Sequence, residues 1–389
     1  AEDGIRDVAV TGVQTCALPI SCLAYPFLFH RLAQIDLVFG AFVACIVILL
    51  VPLFVTSAMN PLLVAIMLRQ SSARNDLADA GAGRVFFIST LGSVAGVIVT
   101  AFGLIQYLSN FAAALVIAIV LAVLPLAMLA RPPLRIAERK PLAITSGIAL
   151  VASLGLLIGE HAYTDRLWPA TWGGAEWKIE RTYRSSFGTV KVLKSGPREG
   201  QPFTRVYFQD GLVQNIVGSN NRSLSLYTYA LEALSFSYRP DLKKVLVLGI
   251  GAGMVPMRLA DRGIDVTTVD IDGASLRAAS EIFDLDPRRV HAVQADARTW
   301  LRSCENGYDV VVLDLFQGDG IPEYLISRDF FRDLKHCLGS NGVAVFNTFA
   351  DLDHPRAYAH FLTTLKAELP YVALYRPDYG IATHINSFI

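Results

Sequence analysis

Val245-Leu246-Val247-Leu248-Gly249-Ile250-Gly251-Ala252-Gly253 is the stretch from which the fold is read. Four consecutive apolar residues suit a strand buried on both faces, as in a parallel sheet covered by helices. Glycines at alternating positions then let the chain turn sharply into a helix and bring bare backbone N–H groups against a nucleotide-like ligand. Taken alone, Gly-x-Gly-x-Gly also serves strand-to-helix turns that bind nothing. Asp270, at the end of the next apolar run, adds an acid placed to accept from a ribose diol.

Downstream, apolar strands and helical runs alternate at the spacing of a doubly wound sheet. Strands are expected at Val245 to Gly249, Asp265 to Asp270, Val290 to Gln294, Tyr308 to Asp314, Gly342 to Asn347, Val372 to Tyr375 and Ile381 to Ser387. Helices are expected near Val255 to Arg262, Ala274 to Phe283, Ala297 to Arg302, Phe330 to Leu338 and Pro355 to Glu368. Ligands in such sheets bind at the carboxyl ends of the strands. An acid stands at or just after three successive strand ends: Asp270, then Asp296, then Asp314. For an adenosyl ligand, Asp270 suits the ribose hydroxyls and Asp296 the adenine amino group. A plain dinucleotide unit explains Gly249 to Asp270 but asks nothing of Asp296 and Asp314. Helix capping is the alternative reading of each acid.

Upstream of Lys244 the pattern is different. From about Trp177 the residues alternate as in half-buried strands, with Thr189 to Leu193 and Arg205 to Phe208 the clearest and Gln209-Asp210-Gly211 a hairpin turn before Leu212-Val213. A helix through Tyr227 to Phe236 and a break at Arg239-Pro240-Asp241 close this small antiparallel β unit.

Of the 389 residues, 53% are hydrophobic and 17% charged, with a mean hydropathy of +0.43. Such a chain is too apolar for a single ordinary soluble domain. Four runs have the roughly 20 apolar residues that a helix needs to cross a hydrocarbon core: Leu37 to Ser57, Val85 to Leu108, Phe111 to Ala130 and Leu142 to Gly159. In the second, Gly92, Ser93, Gly96 and Ala101 offer a small face for helix packing. Basic residues gather in two of the loops, Arg69, Arg74 and Arg84 in one, Arg131, Arg135, Arg139 and Lys140 in the other. By the positive-inside rule both loops are cytoplasmic, which carries everything after Glu160 to the far side. The chemistry of a cytosolic adenosyl pool argues the opposite and places the soluble part in the cytoplasm.

Lys+Arg and Asp+Glu both number 34, which leaves no electrostatic case for nucleic acid. Cys16, Cys22, Cys45, Cys304 and Cys337 lack paired spacing and are expected to be unpaired and buried, without a zinc site. The seven histidines form no ligand cluster, so no metal is expected, and no Ser-His-Asp context or phosphate-binding Gly-Lys-Ser/Thr loop is visible. Residues 1–20 look like an in-frame translation of a common short-read sequencing adapter. They are left out of the fold reading, and the natural protein is expected to begin upstream of Ser21.

Lys244 to Phe346 resembles the spermidine synthase (polyamine aminopropyltransferase) family, and the β unit before it resembles that family's N-terminal β domain. Phe187-Gly188 with Val190, and Asp210-Gly211-Leu212-Val213-Gln214, look like its Tyr-Gly and Asp-Gly-x-x-Gln signatures. Tyr308 to Asp314 looks like its catalytic strand, and Gly83 to Ser93 is similar to a helix of its membrane-fused bacterial members.

The resemblance implies aminopropyl transfer from decarboxylated S-adenosylmethionine to putrescine or a related polyamine, releasing methylthioadenosine. Asp314 would then be catalytic. Gln214, Gly249, Gly251, Gly253, Asp270 and Asp296 would bind the donor, and Tyr227 and Gln317 the acceptor. It also implies a homodimer, and a multi-pass α-helical membrane region in the cell membrane joined to an α/β Rossmann-like S-adenosyl-binding domain. The expected limits are 21–160 for the membrane region, 161–238 for the β domain and 239–389 for the Rossmann-like domain.

The sequence departs from the family pattern at the acceptor end. Gln317 stands where a second acid belongs, Asp319 lies two residues further on, and Ser219-Asn220-Asn221-Arg222 replaces an acidic, histidine-containing run. Ala252 and Phe187 replace residues that are often Asp and Tyr. Tyr227, Tyr229 and Phe236 could line an acceptor pocket or simply belong to the core. Two other functions stay open: a methyltransferase using intact S-adenosylmethionine, and a non-catalytic adenosyl-binding regulator of a transporter-like membrane module.

Overall fold

The computed structural model describes residues 16–24, 37–58, 79–129, 136–165, 171–172, 175–197, 202–209, 211–305, 307–316, 320–351, 355–369, 371–375 and 384–388, with 28, 31–32, 60–61, 64–65 and 200. Most of the supposed adapter stretch, residues 1–15, lies outside these. The chain divides into two compact units, Ala1–Pro169 and Ala170–Ile389.

The first unit is helical. α1 spans Leu37–Ser57 with Pro52 inside it. α2 spans Asp79–Val99 and runs on through a π-helical turn, Thr100–Leu104, and one more helical turn, Ile105–Tyr107. α3 spans Asn110–Met128, α4 Ile136–Ile158 and α5 Glu160–Asp165. Ser109 starts α3 by accepting from the Ala112 N–H at 2.9 Å, which satisfies one of the orphan donors of the first turn. Among the described residues, three helices are long and apolar enough to cross a membrane: Ala82–Tyr107, Asn110–Ala127 and Arg139–Ile158.

The small-residue packing expected within α2 is found elsewhere. Gly92 and Gly96 have open space where a β-carbon would stand. Ala112, Ala113, Ala118 and Ala122 of α3 are buried instead, as are Ser146, Ala149 and Ser153 of α4. α3 and α4 pack closely, and small side chains let the backbones approach. Phe86, Phe87, Val97 and Phe102 of α2 stay exposed, an apolar surface that water does not favour.

The second unit begins with a five-stranded antiparallel sheet in the order β1-β2-β3-β4-β5: Thr171–Trp172, Ala175–Ser185, Gly188–Ser195, Thr204–Gln209 and Leu212–Gly218. Strands β3 and β4 and the β4/β5 hairpin are legible from alternation, whereas the β3/β4 pairing and β2, with its irregularity between Ile179 and Arg181, are not. α6, Leu226–Tyr238, follows.

The six-stranded sheet comes next. Its strands are β6 Lys244–Leu248, β7 Asp265–Asp270, β8 Val290–Gln294, β9 Tyr308–Leu313, β10 Leu338–Asp351 and β11 His384–Phe388, in the order β11-β10-β9-β6-β7-β8. β10 through β8 run parallel and β11 is antiparallel to β10. The helices between them are α7 Met254–Asp261, α8 Gly273–Ile282, α9 Ala297–Arg302, α10 Arg328–Cys337 and α11 Pro355–Glu368. This is the expected Rossmann-like α/β arrangement. The strand expected at Val372 to Tyr375 is not formed; only Tyr375 bridges to Phe388.

Two hydrophobic clusters cover the two faces of the parallel sheet. Leu246, Leu248 and Val311 point into one with Phe331 and Leu334, and Val245, Val247 and Val312 into the other with Leu231 and Leu259. A third cluster joins Tyr183, Val190, Val192 and Tyr207 of the β unit to Ala274, Ala278 and Phe283 around α8. That contact holds the antiparallel sheet beside the carboxyl ends of the parallel strands.

The cysteine expectation is corrected in one pair. Cys304 and Cys337 form a disulfide with their Cα atoms 5.5 Å apart, while Cys16, Cys22 and Cys45 are free and Cys45 is exposed. The partners are 33 residues apart and meet only because α10 packs on α9, so no spacing signal reveals them.

Candidate active site

The order of the parallel strands reverses between β6 and β9, and the chain leaves the sheet in opposite directions there. A crevice opens at the carboxyl ends of these strands. It holds a cavity of about 630 Å³, roofed by the antiparallel sheet. Gly249, Gly251, Asp270, Asp296 and Asp314 line it, with Gln214 of β5 and Tyr227 of α6. Seven of the nine residues singled out from sequence are thus brought to one cavity.

The three glycines have different tasks. Gly249 has φ +91°, and a β-carbon there would overlap the Asp314 carbonyl oxygen. Gly251 has φ +50° and open space beside it, so its bare backbone faces the cavity. Gly253, at φ +75°, is the N-cap of α7 and does not line the cavity. A β-carbon on it would stand 3.3 Å from Ala279 and Leu285, so a glycine here also lets the loop pack closely on α8.

Asp270 accepts from the Ile250 N–H at 2.9 Å and the Asp272 N–H at 2.8 Å. Burial pushes its carboxyl up to about 6 against those two donors, and the neighbouring Asp272 adds to the rise. Asp272 caps α8 through Oδ1, accepting from the Ala274 N–H at 2.8 Å, and its buried Oδ2 has no partner. Asp296 caps α9, with Oδ1 accepting from Thr299 N–H and Thr299 Oγ1, each at 2.8 Å. Capping and cavity lining therefore coexist at Asp296.

Asp314 follows β9 and accepts at Oδ1 from Asn347 Nδ2 at 2.8 Å. Burial lifts its carboxyl to about 6; the Asn347 hydrogen bond opposes the rise and the charge of Asp270 adds to it. The Tyr227 hydroxyl accepts from Asn215 Nδ2 at 3.1 Å. Burial holds that phenol well above its ordinary value, and the charge of Asp314 pushes the same way.

Tyr229 and Phe236 are half-buried and do not line the cavity. The Tyr229 hydroxyl donates to the Ser223 carbonyl at 2.7 Å while Arg258 covers its ring, and Arg262 covers Phe236. Gln317 lies outside the described residues, as do Asp319 and Asp210.

Asn347 and Asp272 also line the cavity, and sequence reading passed them over. Asn347 ends the apolar run Val343 to Phe346, so the strand-end argument applied to acids would have found it had amides been counted. Among the described residues no group of His, Cys, Asp and Glu could hold a metal ion. The donor set here is a glycine turn, buried carboxyls and amides. It fits an adenosyl compound: Gly251 leaves the space a side chain would fill, and Asp270 stands beside it with both oxygens on backbone donors.

Residues 224–377 match the spermine/spermidine synthase domain. A polyamine aminopropyltransferase of Vibrio vulnificus is 35% identical over 128 residues, which is 31% of this chain and 42% of the relative. An N-terminal histidine N-methyltransferase of Emericella nidulans is 32% identical over 136 residues, 34% of this chain and 24% of the relative. The chain thus spans less than half the length of either. A crystal structure of spermidine synthase from Thermotoga maritima is 18% identical with a TM-score of 0.45, covering 55% of this chain and 72% of that one. Across residues 224–377, then, the chain is similar to the spermine/spermidine synthase domain.

Proposed function

We propose that the chain is an aminopropyltransferase of the spermidine synthase type, acting on decarboxylated S-adenosylmethionine and a polyamine such as putrescine. The observation that carries this is Asp314, a buried carboxyl at the end of β9 in the same cavity as Gly249, Gly251 and Asp270. The donor supplies a methylene made electrophilic by its sulfonium. Asp270 would hold the ribose side and Asp296 the adenine side, with Gln214 across the cavity on β5. Ionised Asp314 holds the acceptor ammonium and takes its proton. The freed nitrogen lone pair then forms the new C–N bond as the C–S bond breaks, and methylthioadenosine leaves with that electron pair. Tyr227 and Gln317 are assigned to the acceptor.

A methyltransferase using S-adenosylmethionine is the second reading. The Emericella nidulans relative favours it, as does the apolar lining by Leu212, Val213, Ile216 and Phe316. We further assign residues 21–160 to a multi-pass membrane region, 161–238 to the β domain and 239–389 to the Rossmann-like domain, with a homodimer as the assembly and no nucleic-acid partner. The apolar helices support the bilayer assignment. Supply of the donor supports a cytoplasmic catalytic unit, against which stand the basic loops and the disulfide.

The full chain in detergent, given each S-adenosyl donor with a panel of amines, tests the reading. Amine-dependent methylthioadenosine supports aminopropyl transfer. S-adenosylhomocysteine supports the second reading, and tight binding with neither product supports a regulator.

A further inference from the structure

The buried amide of Asn347, in β10 just past its pairing with β9, has one hydrogen bond too few. Asn347 is 3% exposed and borders the cavity. An ionised carboxylate can only accept, so the 2.8 Å contact with Asp314 Oδ1 fixes Nδ2 as the donor and leaves Oδ1 as an acceptor. That Oδ1 is buried without a partner. Leaving such an atom unsatisfied is unfavourable, so it needs a donor from whatever enters the cavity.

On the reading of the site as an aminopropyltransferase, we infer that Asn347 is a specificity and positioning residue, holding Asp314 through Nδ2 and accepting an N–H of the acceptor nitrogen at Oδ1. The chemistry requires such an acceptor. An ammonium that has given one proton to Asp314 keeps two N–H bonds and gains a lone pair. If Oδ1 takes one N–H, the nitrogen cannot turn freely, and its lone pair is kept for the electrophilic carbon. The substrate class follows: a nitrogen that still bears N–H after deprotonation, a primary or secondary amine. A tertiary amine brings no N–H and leaves Oδ1 unpaired. The same donor–acceptor logic lets an amide-lined site reject an analogue lacking the hydrogen.

Asn347 also acts on Asp314 itself. The groups around that carboxyl are Asp270 from β7, Tyr227 from α6 and Asn347 from β10, with Asp272 and Asp296 further along the cavity. Of the groups that shift Asp314, Asn347 is the one that favours its ionised form.

The test uses full-length chain in detergent, wild type and Asn347→Ala, with Asn347→Ser as the variant that keeps a small polar side chain should alanine prevent folding. A primary amine and its N,N-dimethyl counterpart serve as acceptors, and methylthioadenosine release is followed across pH. For the primary amine kcat/KM is expected to fall about 10- to 100-fold in the variant. Its acid limb moves to higher pH, wild-type preference for the primary over the dimethyl amine collapses, and affinity for the donor is unchanged. An acid limb and an amine preference that match wild type overturn the role of Asn347 while leaving aminopropyl transfer standing. Absence of methylthioadenosine from wild type with every amine overturns the transfer reading, and this role with it.

Discussion

A β-carbon on Gly249 would overlap the main-chain carbonyl oxygen of Asp314. The turn after β6 and the residue after β9 therefore touch backbone to backbone, and the groups assigned to donor and acceptor are held in one rigid corner. Two further bonds fix that corner: Gly249 N–H donates to the Val269 carbonyl at 2.9 Å, and Asp314 N–H to the Leu248 carbonyl at 2.9 Å.

Gly249→Ala is expected to lower stability by about 1–3 kcal/mol from its left-handed backbone alone, and further from the overlap. Gly251→Ala carries a similar left-handed backbone cost but has room for its β-carbon, so it loses less stability than Gly249→Ala and also loses adenosyl affinity. Chemical denaturation and calorimetric titration with methylthioadenosine check the pair. Equal stability loss in both would contradict the separate tasks given to the two glycines.

Asp314→Asn keeps the shape of the corner and removes the proton acceptor. It is expected to reduce turnover about 10²- to 10⁴-fold with donor affinity little changed. Steady-state rates and calorimetry on the same preparation separate the two effects.

Asp270 and Asp314 are both raised by burial from 3.8 to about 6. The folded chain therefore binds their protons more tightly than the unfolded chain does. The stability this contributes is complete below 3.8 and is lost as pH rises through about 6. Activity runs the other way, because Asp314 must be ionised to accept a proton, so kcat/KM is expected to rise through about pH 6. Denaturation midpoints and a pH–rate profile check both signs.

The strand–glycine–helix core was legible because its cause is local. Val245 to Leu248 form a buried strand wherever helices cover both faces, and the observed strands Asp265–Asp270 and Val290–Gln294 coincide with the apolar runs. What escaped depends on distant packing. That Ala279 and Leu285 lie against Gly253 is packing that the sequence does not show. Asn347 escaped because its meaning is the carboxyl 33 residues earlier that only the β9/β10 register brings alongside. The Cys304–Cys337 pair escaped for the same reason.

That pair yields a count. Unfolded under non-reducing conditions, the chain should titrate with three thiols, Cys16, Cys22 and Cys45, and with five after reduction. Cys337→Ala should cost about 3–4 kcal/mol of stability by the loop-entropy relation. Five thiols before reduction would remove the disulfide argument against a cytoplasmic location. A reporter after Ile389 that is active only outside the cytoplasm would overturn that location directly.

The most direct test of the central claim is the mass of the amine after incubation with the full chain and decarboxylated S-adenosylmethionine. An amine carrying one added aminopropyl group, formed by wild type and lost in Asp314→Asn, is the predicted result. An amine returned unchanged, or one that instead gains a methyl group from S-adenosylmethionine, would contradict the account.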